Sequence, residues 1–309
     1  MQNTLDLENI KEIVLLALKE DIGRGDLTSR IFVPEGSKSE GTFLSKEKGI
    51  VAGLPVAKYV LSQIDRELQF TVHIEEGVRI NRGTKIASVK GSTLSILAAE
   101  RLVLNFLQRL SGIATITSKF VERVKGYHAR IMDTRKTTPG LRYLERYAVR
   151  VGGGHNHRMG LYDQILVKDN HLKILETEHQ EKQCRDALKE GGASDIQRLV
   201  RRARELTENK VLIEVEVEDI GFIKEVLAAG VDIIMLDNMD PSEMVKAIKM
   251  IKESDEANKT SAKHTLTEAS GNISLENVEA YAKTGVDRIS VGRITHSANA
   301  LDISFELSP

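Results

Sequence analysis

Apolar positions change their period along this chain. Leu5, Leu7, Ile10, Ile13, Val14 and Ala17 recur at three- and four-residue spacing, which predicts an amphipathic helix from Leu5 to Glu20, stopped by the polar turn DIGRGDLTSR. Residues 22–92 then carry strand-like runs, GTFLSKEKGIVAG, LQFTVHIEEGVRI and TKIASVKG, around a helical LPVAKYVLSQI, the pattern of a small antiparallel α+β unit. Leu94 to Lys125 reads as one long helix.

Beyond Ala129 six β-rich runs, RIMD, QILVKDN, VLIEVEV, DIIMLDN, HTLTEAS and DRISVG, alternate with helical segments. That rhythm builds parallel strands with crossover helices, as a barrel or as a doubly wound sheet. Two features favour a barrel, incomplete because six units fall short of eight. No G-x-G-x-x-G follows a first strand, and nearly every run closes on a polar or turn residue (Asp133, Lys168, Glu216, Asp237, Ser270, Gly292), at the edge where barrel sites are built. Asp240 before Pro241 reads as an N-cap with Pro at N1, and Ser274 as the cap of SLENVEAYAKTG, stopped by Gly285.

Composition narrows the function classes. With 309 residues, 41% apolar and 29% charged, the chain has ample core and no run near the roughly 18 apolar residues of a membrane span. A net charge of −1 and 13 aromatic residues argue against nucleic acid as a partner. Cys184, the single cysteine, excludes an intrachain disulfide and a thiolate metal cluster, and in EKQCRDALKE it reads as a helix-surface residue. The first twenty residues lack the basic-then-apolar order of a secretory signal, so a cytoplasmic protein is expected.

The net charge hides a segregation. Residues 130–173 hold nine Lys/Arg against four Asp/Glu, leaving −6 for the rest. Arg142, Arg146 and Arg150, four apart, read as one solvated helix face. Arg135, Lys136, Arg158 and Lys168 lie at strand ends or beside glycines, where converging cations imply a small ligand with several negative charges. In GGGHNHRMG, His157 and Arg158 read as anion-binding groups and His155 as a buried structural histidine. EASGNIS and SVGRITHS are Gly-containing turns after the last two strands, where backbone N–H groups cradle phosphate. Glu214 and Glu216 share a strand face. Glu214 reads as a partner for a nearby lysine, and Glu216 with Asp237 as groups for ribose hydroxyls or for Mg²⁺ on a pyrophosphate.

These motifs together resemble the quinolinate phosphoribosyltransferase family. The resemblance runs through DTRKTTPGLRYLERYAVRVGGGHNHRMGLYDQILVKDNH and extends to EDIGRGDLTS, AERLVLNFLQRLSGIAT, IEVEVED, IIMLDN, EASGNISLENVEAYAKTGVD and the terminal ITHS. It implies an α/β protein with an N-terminal α+β sandwich domain over residues 1–112 and an incomplete TIM-like barrel over 113–293, the tail 294–309 packing back on the first domain. It also implies a homo-oligomer, dimer or hexamer, whose shared sites join quinolinate to 5-phosphoribosyl 1-pyrophosphate with Mg²⁺, releasing pyrophosphate and CO₂. The matching positions assign Arg101 (from the partner subunit), Arg135, His157, Arg158 and Lys168 to quinolinate, and Thr134 and Lys136 to pyrophosphate. They assign Glu216 and Asp237 to ribose and metal, and Ser270, Gly271, Asn272, Val291, Gly292 and Arg293 to the 5′-phosphate. Lys136, Glu216 and Asp237 are the expected catalytic residues.

The chain departs from the family pattern twice. LKILETEHQEKQCRDALKEGGASDIQ after His171 reads as a charged surface insertion, and Arg293 stands where a small residue is usual. Two alternatives remain at this level: a paralogous phosphoribosyltransferase with another acceptor, such as the molybdate-transport-associated type, which needs fewer cations, and a non-catalytic phosphometabolite-binding protein, which needs no carboxylates.

Overall fold

The computed structural model describes residues 5–168, 170–171, 195–257 and 264–308. Cys184 and nearly all of the insertion lie outside the described residues. The chain divides into two compact units that do not follow a single cut. One holds the chain up to Val121, residues 136–156 and everything from Gly292 onward; the other holds 122–135 and 157–291.

The first unit contains α1 (Lys11–Ile22), α2 (Leu27–Phe32), β1 (Lys38–Ser45), β2 (Gly49–Ile50), α3 (Leu54–Ile64), β3 (Gln69–Val72), β4 (Arg79–Ile80), β5 (Lys85–Ser92), α4 (Thr93–Arg123), α5 (Arg142–Val151), α10 (Arg293–His296) and β12 (Ile303–Ser308). Its sheet runs β12-β1-β5-β3, antiparallel throughout, and β2 pairs with β4 apart from it. Alternation along β1 turns Phe43 inward, its ring 4.7 Å from that of Phe305 on β12 and 6.4 Å from that of Phe70 on β3. α3 buries Leu54, Val56, Ala57, Val60 and Leu61, and its first amides are capped by Glu76, which accepts from Leu54 N at 2.8 Å and from Gly53 N.

α4 carries the segment before β12 across its middle. A Cβ at Gly112 would lie 2.0 Å from the carbonyl oxygen of Asn299, so only glycine permits that approach. One turn earlier Arg109 donates to the buried Glu145 of α5 at 2.6 Å, to Thr295 O at 2.7 Å and to Ala298 O at 2.9 Å.

The second unit contains β6 (Arg130–Met132), β7 (Ile165–Val167), α6 (Asp195–Leu206), β8 (Ile213–Val217), α7 (Ile223–Ala228), β9 (Ile233–Asp237), α8 (Pro241–Ala257), β10 (Leu266–Ser270), α9 (Val278–Lys283) and β11 (Arg288–Ser290). Its six strands are parallel, in the order β6-β11-β10-β9-β8-β7. From β7 to β11 each strand neighbours its predecessor in sequence, and the last pairs with the first. A doubly wound sheet reverses direction midway, whereas this order is that of a barrel left open between β6 and β7.

Helix boundaries follow local chemistry. Asp240 caps α8, accepting from Ser242 N at 2.7 Å and Glu243 N at 3.0 Å, and Met244, Ala247, Ile248 and Ile251 form its buried stripe. Ser274 does not cap its helix directly: Glu276 N donates to its hydroxyl at 3.3 Å, and α9 begins at Val278 after a preceding turn. Among the described residues no helix is long and apolar enough to cross a membrane.

Candidate active site

Both sides of β8 are buried, and they differ in chemistry. Ile213, Val215 and Val217 alternate with Glu214 and Glu216. Register places Glu214 beside Ile233, Glu216 beside Met235, Met235 beside Glu268 and Glu268 beside Arg288. Residues paired in parallel strands point to the same side, so the carboxylates share the barrel interior with Arg288. Two residues further toward the C-terminal edge, Asp237 on β9 lies opposite Ser270 on β10.

At that edge Lys168 Nζ sits 2.5 Å from Glu216 Oε2. The carboxylates of Glu216, Glu218 and Asp237 bring ligand oxygens within 4.8 Å of one another, a hard-oxygen set suited to Mg²⁺. Asn238 donates to Asp237 at 2.7 Å and, through its backbone N–H, to Ser270 O at 2.9 Å. The adjoining turn has left-handed backbone at Gly271 and Asn272, and a Cβ at Gly271 would meet Asn238 Oδ1 at 2.2 Å. A side chain at 271 would therefore close the turn that the sequence marked as a phosphate cradle. Val291, after β11, donates its N–H to Met132 O at 3.0 Å.

The segment after the glycine run is held by buried groups. Asp133, at the end of β6, accepts from His157 N at 2.7 Å. Arg158 is buried, donates to Gln164 O at 3.2 Å, and has its pKa pushed below the usual arginine range by burial and by the neighbouring guanidinium of Arg135. His157, not His155, is the buried histidine. Its Nε2 lies 3.0 Å from Glu214 Oε2 and 3.3 Å from Glu268 Oε1. Glu214 thus pairs with His157 and accepts from Gln164 Nε2 at 2.6 Å, instead of meeting the expected lysine. Burial, then the Glu268 carboxylate, pushes Glu214 up to about 7.

The remaining candidates belong to the first unit. Lys136 is exposed, its side chain packs against Gly292, and its carbonyl accepts from Thr295 Oγ1 at 2.8 Å. Arg293 begins α10 with an exposed side chain, and Arg101 is exposed on α4. Arg142, Arg146 and Arg150 are not the solvated face their spacing predicted. All three are half-buried; Arg142 donates to Thr137 at 3.0 Å, and Arg150 to Asn156 at 2.6 Å. Thr138, two residues after Lys136, is tied to Glu145 through its N–H at 3.1 Å and its hydroxyl at 2.8 Å. Four groups that matter here, Gln164, Glu218, Glu268 and Arg288, stand inside the quoted runs but carry no candidate role in the sequence. Only the alternation on β10, which puts Glu268 on the face of Ser270, hinted at one of them.

An open six-stranded α/β barrel with cations and carboxylates gathered at its C-terminal edge defines a barrel enzyme acting on small anionic substrates. The chain matches the model of the quinolinate phosphoribosyl transferase C-terminal domain over residues 113–306 and that of the N-terminal domain over 26–111. It is 40% identical over 299 residues to the probable nicotinate-nucleotide pyrophosphorylase (carboxylating) of Bacillus subtilis, covering 97% of this chain and 93% of that protein. The crystal structure of NadC from Streptococcus pyogenes superposes with a TM-score of 0.86 at 35% identity, covering 99% and 98% of the two chains. That of the nicotinate-nucleotide pyrophosphorylase from Francisella tularensis gives 0.84 at 34% identity, with the same coverage. The chain belongs to the quinolinate phosphoribosyltransferase family.

Proposed function

We propose that this protein transfers the phosphoribosyl group of 5-phosphoribosyl 1-pyrophosphate to quinolinate and decarboxylates the product, giving nicotinate mononucleotide, pyrophosphate and CO₂ for NAD synthesis. The observation that carries the acceptor assignment is the neighbourhood of the buried Arg158 and the half-buried Arg135, two guanidiniums on one side of the site. Quinolinate has two carboxylates, and Lys168 supplies a third cation at the same edge. A monocarboxylate would leave this charge under-used.

In the reaction the pyridine nitrogen bonds to ribose C1 as the bond to the pyrophosphate oxygen breaks. Positive charge develops on C1 and the ring oxygen, and carboxylates aimed there stabilise it without forming a covalent intermediate. Glu216 and Asp237 take that role and the ribose hydroxyls. Thr134 and Lys136 take the pyrophosphate; Ser270, Gly271, Asn272, Val291, Gly292 and Arg293 take the 5′-phosphate. Glu216, Asp237 and the adjoining Glu218 fit Mg²⁺ by donor type and spacing. When bound, the ion supplies charge neutralisation to the leaving pyrophosphate. Ribosylation leaves the ring nitrogen positive, so it accepts the electron pair released when the C2–carboxylate bond breaks, and a proton replaces CO₂.

The enzyme works as a homo-oligomer in the cytoplasm, Arg101 reaching the partner's acceptor site. Its exposed position on α4 supports this, as does the apolar surface of α2, where Leu27, Ile31 and Phe32 are 73%, 74% and 78% exposed. The deciding assay offers quinolinate or nicotinate with 5-phosphoribosyl 1-pyrophosphate and Mg²⁺, following CO₂ and mononucleotide. Turnover of quinolinate is expected; turnover of nicotinate alone overturns the acceptor assignment.

A further inference from the structure

Thr295 is buried in α10, yet its hydroxyl bonds to a residue 159 positions away in the sequence. The one hydroxyl proton is shared between the carbonyl of Lys136, at 2.8 Å, and that of Gly292, at 3.0 Å. The bond to Gly292 reaches three residues back and is a common local bond for threonine or serine. The bond to Lys136 is of another kind, because it fastens the residue assigned to pyrophosphate to the turn assigned to the 5′-phosphate. The Lys136 side chain meets the same turn: a Cβ on Gly292 would lie 3.1 Å from Lys136 Cδ. Lys136, Gly292, Arg293 and Thr295 all belong to the first unit, so this juxtaposition is internal to it.

A frame of side-chain bonds holds both segments from behind. Arg109 donates to Thr295 O at 2.7 Å and to Ala298 O at 2.9 Å on the side of the turn. On the side of the Lys136 loop it donates to Glu145 Oε1 at 2.6 Å and to Thr138 Oγ1 at 3.3 Å. The buried Glu145 in turn accepts the Thr138 N–H at 3.1 Å. Arg109 and Glu145 thus fix where each segment runs, and the Thr295 hydroxyl ties one segment directly to the other. We infer that Thr295 is a positioning residue: its hydroxyl sets the spacing between Lys136 and the turn at Gly292 and Arg293, so that one molecule of 5-phosphoribosyl 1-pyrophosphate spans both. Its side chain is enclosed and acts through the groups that it holds. A substrate gripped at two ends depends on the spacing of the grips, whereas a fragment that uses one grip does not.

This inference rests on the assignment of Lys136 to pyrophosphate and of Gly292 and Arg293 to the 5′-phosphate, and the controls separate the two. Steady-state kinetics with quinolinate and Mg²⁺ compare the wild type with Thr295→Val, which keeps the shape and loses the hydroxyl, and with Thr295→Ser, which keeps the hydroxyl. Melting curves verify that each variant is folded, and Thr295→Ala takes the place of the valine variant if that one does not fold. In Thr295→Val the kcat/KM for 5-phosphoribosyl 1-pyrophosphate is expected to fall about 10- to 100-fold, and in Thr295→Ser to stay within about threefold of wild type. Pyrophosphate and ribose 5-phosphate, each used as a competitive inhibitor, are expected to keep their inhibition constants within about threefold in both variants. Three results overturn the inference: fragment binding that falls as far as the whole substrate's, an unchanged kcat/KM in Thr295→Val, or equal losses in Thr295→Ser and Thr295→Val.

Lys136→Ala tests the underlying assignment. Pyrophosphate inhibition is expected to weaken about tenfold or more in that variant, with ribose 5-phosphate unaffected. If pyrophosphate inhibits Lys136→Ala as it does the wild type, the assignment of Lys136 fails instead, and hydrogen exchange followed by mass spectrometry still decides the clasp. The segment that follows Lys136 should exchange faster in Thr295→Val than in the wild type or Thr295→Ser. Equal exchange in all three overturns it.

Discussion

Lys168 and Glu216 meet at 2.5 Å, yet the lysine side chain is 44% exposed while the glutamate is nearly enclosed. A half-solvated pair of this kind adds little to stability, so its members can be altered without losing the fold. Lys168→Met is expected to raise the KM for quinolinate about tenfold or more with little change in melting temperature, which steady-state kinetics and calorimetry would register. Glu216→Gln keeps the volume and removes the charge that the proposed mechanism aims at the developing cation. It should lower kcat by about 10²- to 10³-fold in a single-turnover assay, with quinolinate affinity far less affected. Glu216 was legible from its place at the end of IEVEV. Glu268 was not: a glutamate inside LTEAS signals nothing until register sets it beside Met235 and Arg288.

At the scale of elements, α5 shows where sequence spacing misled. Its four-residue arginine repeat looked like a solvated stripe, but packing leaves those residues half-buried and bonded to loops that tertiary contacts bring up. Its buried Glu145 is held by Arg109, and the same carboxylate carries Thr138. Glu145→Ala should cost about 3–5 kcal/mol of unfolding free energy in urea titration, because the Arg109 guanidinium would be left without its carboxylate. Glu76, at the start of α3, gives a pH-dependent counterpart. Burial outweighs its bonds to the Leu54 and Gly53 amides and raises its pKa from 4.5 to about 7. The folded state therefore holds this proton more tightly than the unfolded chain. Its contribution is fully present below pH 4.5 and is lost as pH rises through about 7. Glu76→Gln keeps an acceptor for both amides and cannot ionise. Its stability relative to wild type should improve progressively between pH 5 and pH 8, as followed by thermal unfolding.

For the whole molecule, β12 returns the end of the chain to the first unit, pairing with β1 from Glu40–Ser308 to Ser45–Ile303 and placing Phe305 over Phe43. Removing residues 303–309 should bare the edge of β1, lower the melting temperature and promote self-association detectable by light scattering. Neither the pairing nor the spatial grouping of residues 136–156 with the first unit could be read from periodicity, which reports on local faces and not on which distant segment will cover them.

Local periodicity and end-of-strand chemistry are covalent properties of the chain. They determined the six strands and their βα rhythm, the long helix, the Asp240 cap, and the placing of Lys168, Glu216 and Asp237 at the strands' C-terminal edge. Which groups face one another depends on register and on long-range closure, so only the tertiary structure brought Glu214 and Glu268 to His157. In the buried interior a ring nitrogen facing a carboxylate or an amide has no water to take its place. The meeting of the His157 ring with two buried carboxylates is thus a product of parallel register and burial, which no residue type carries by itself.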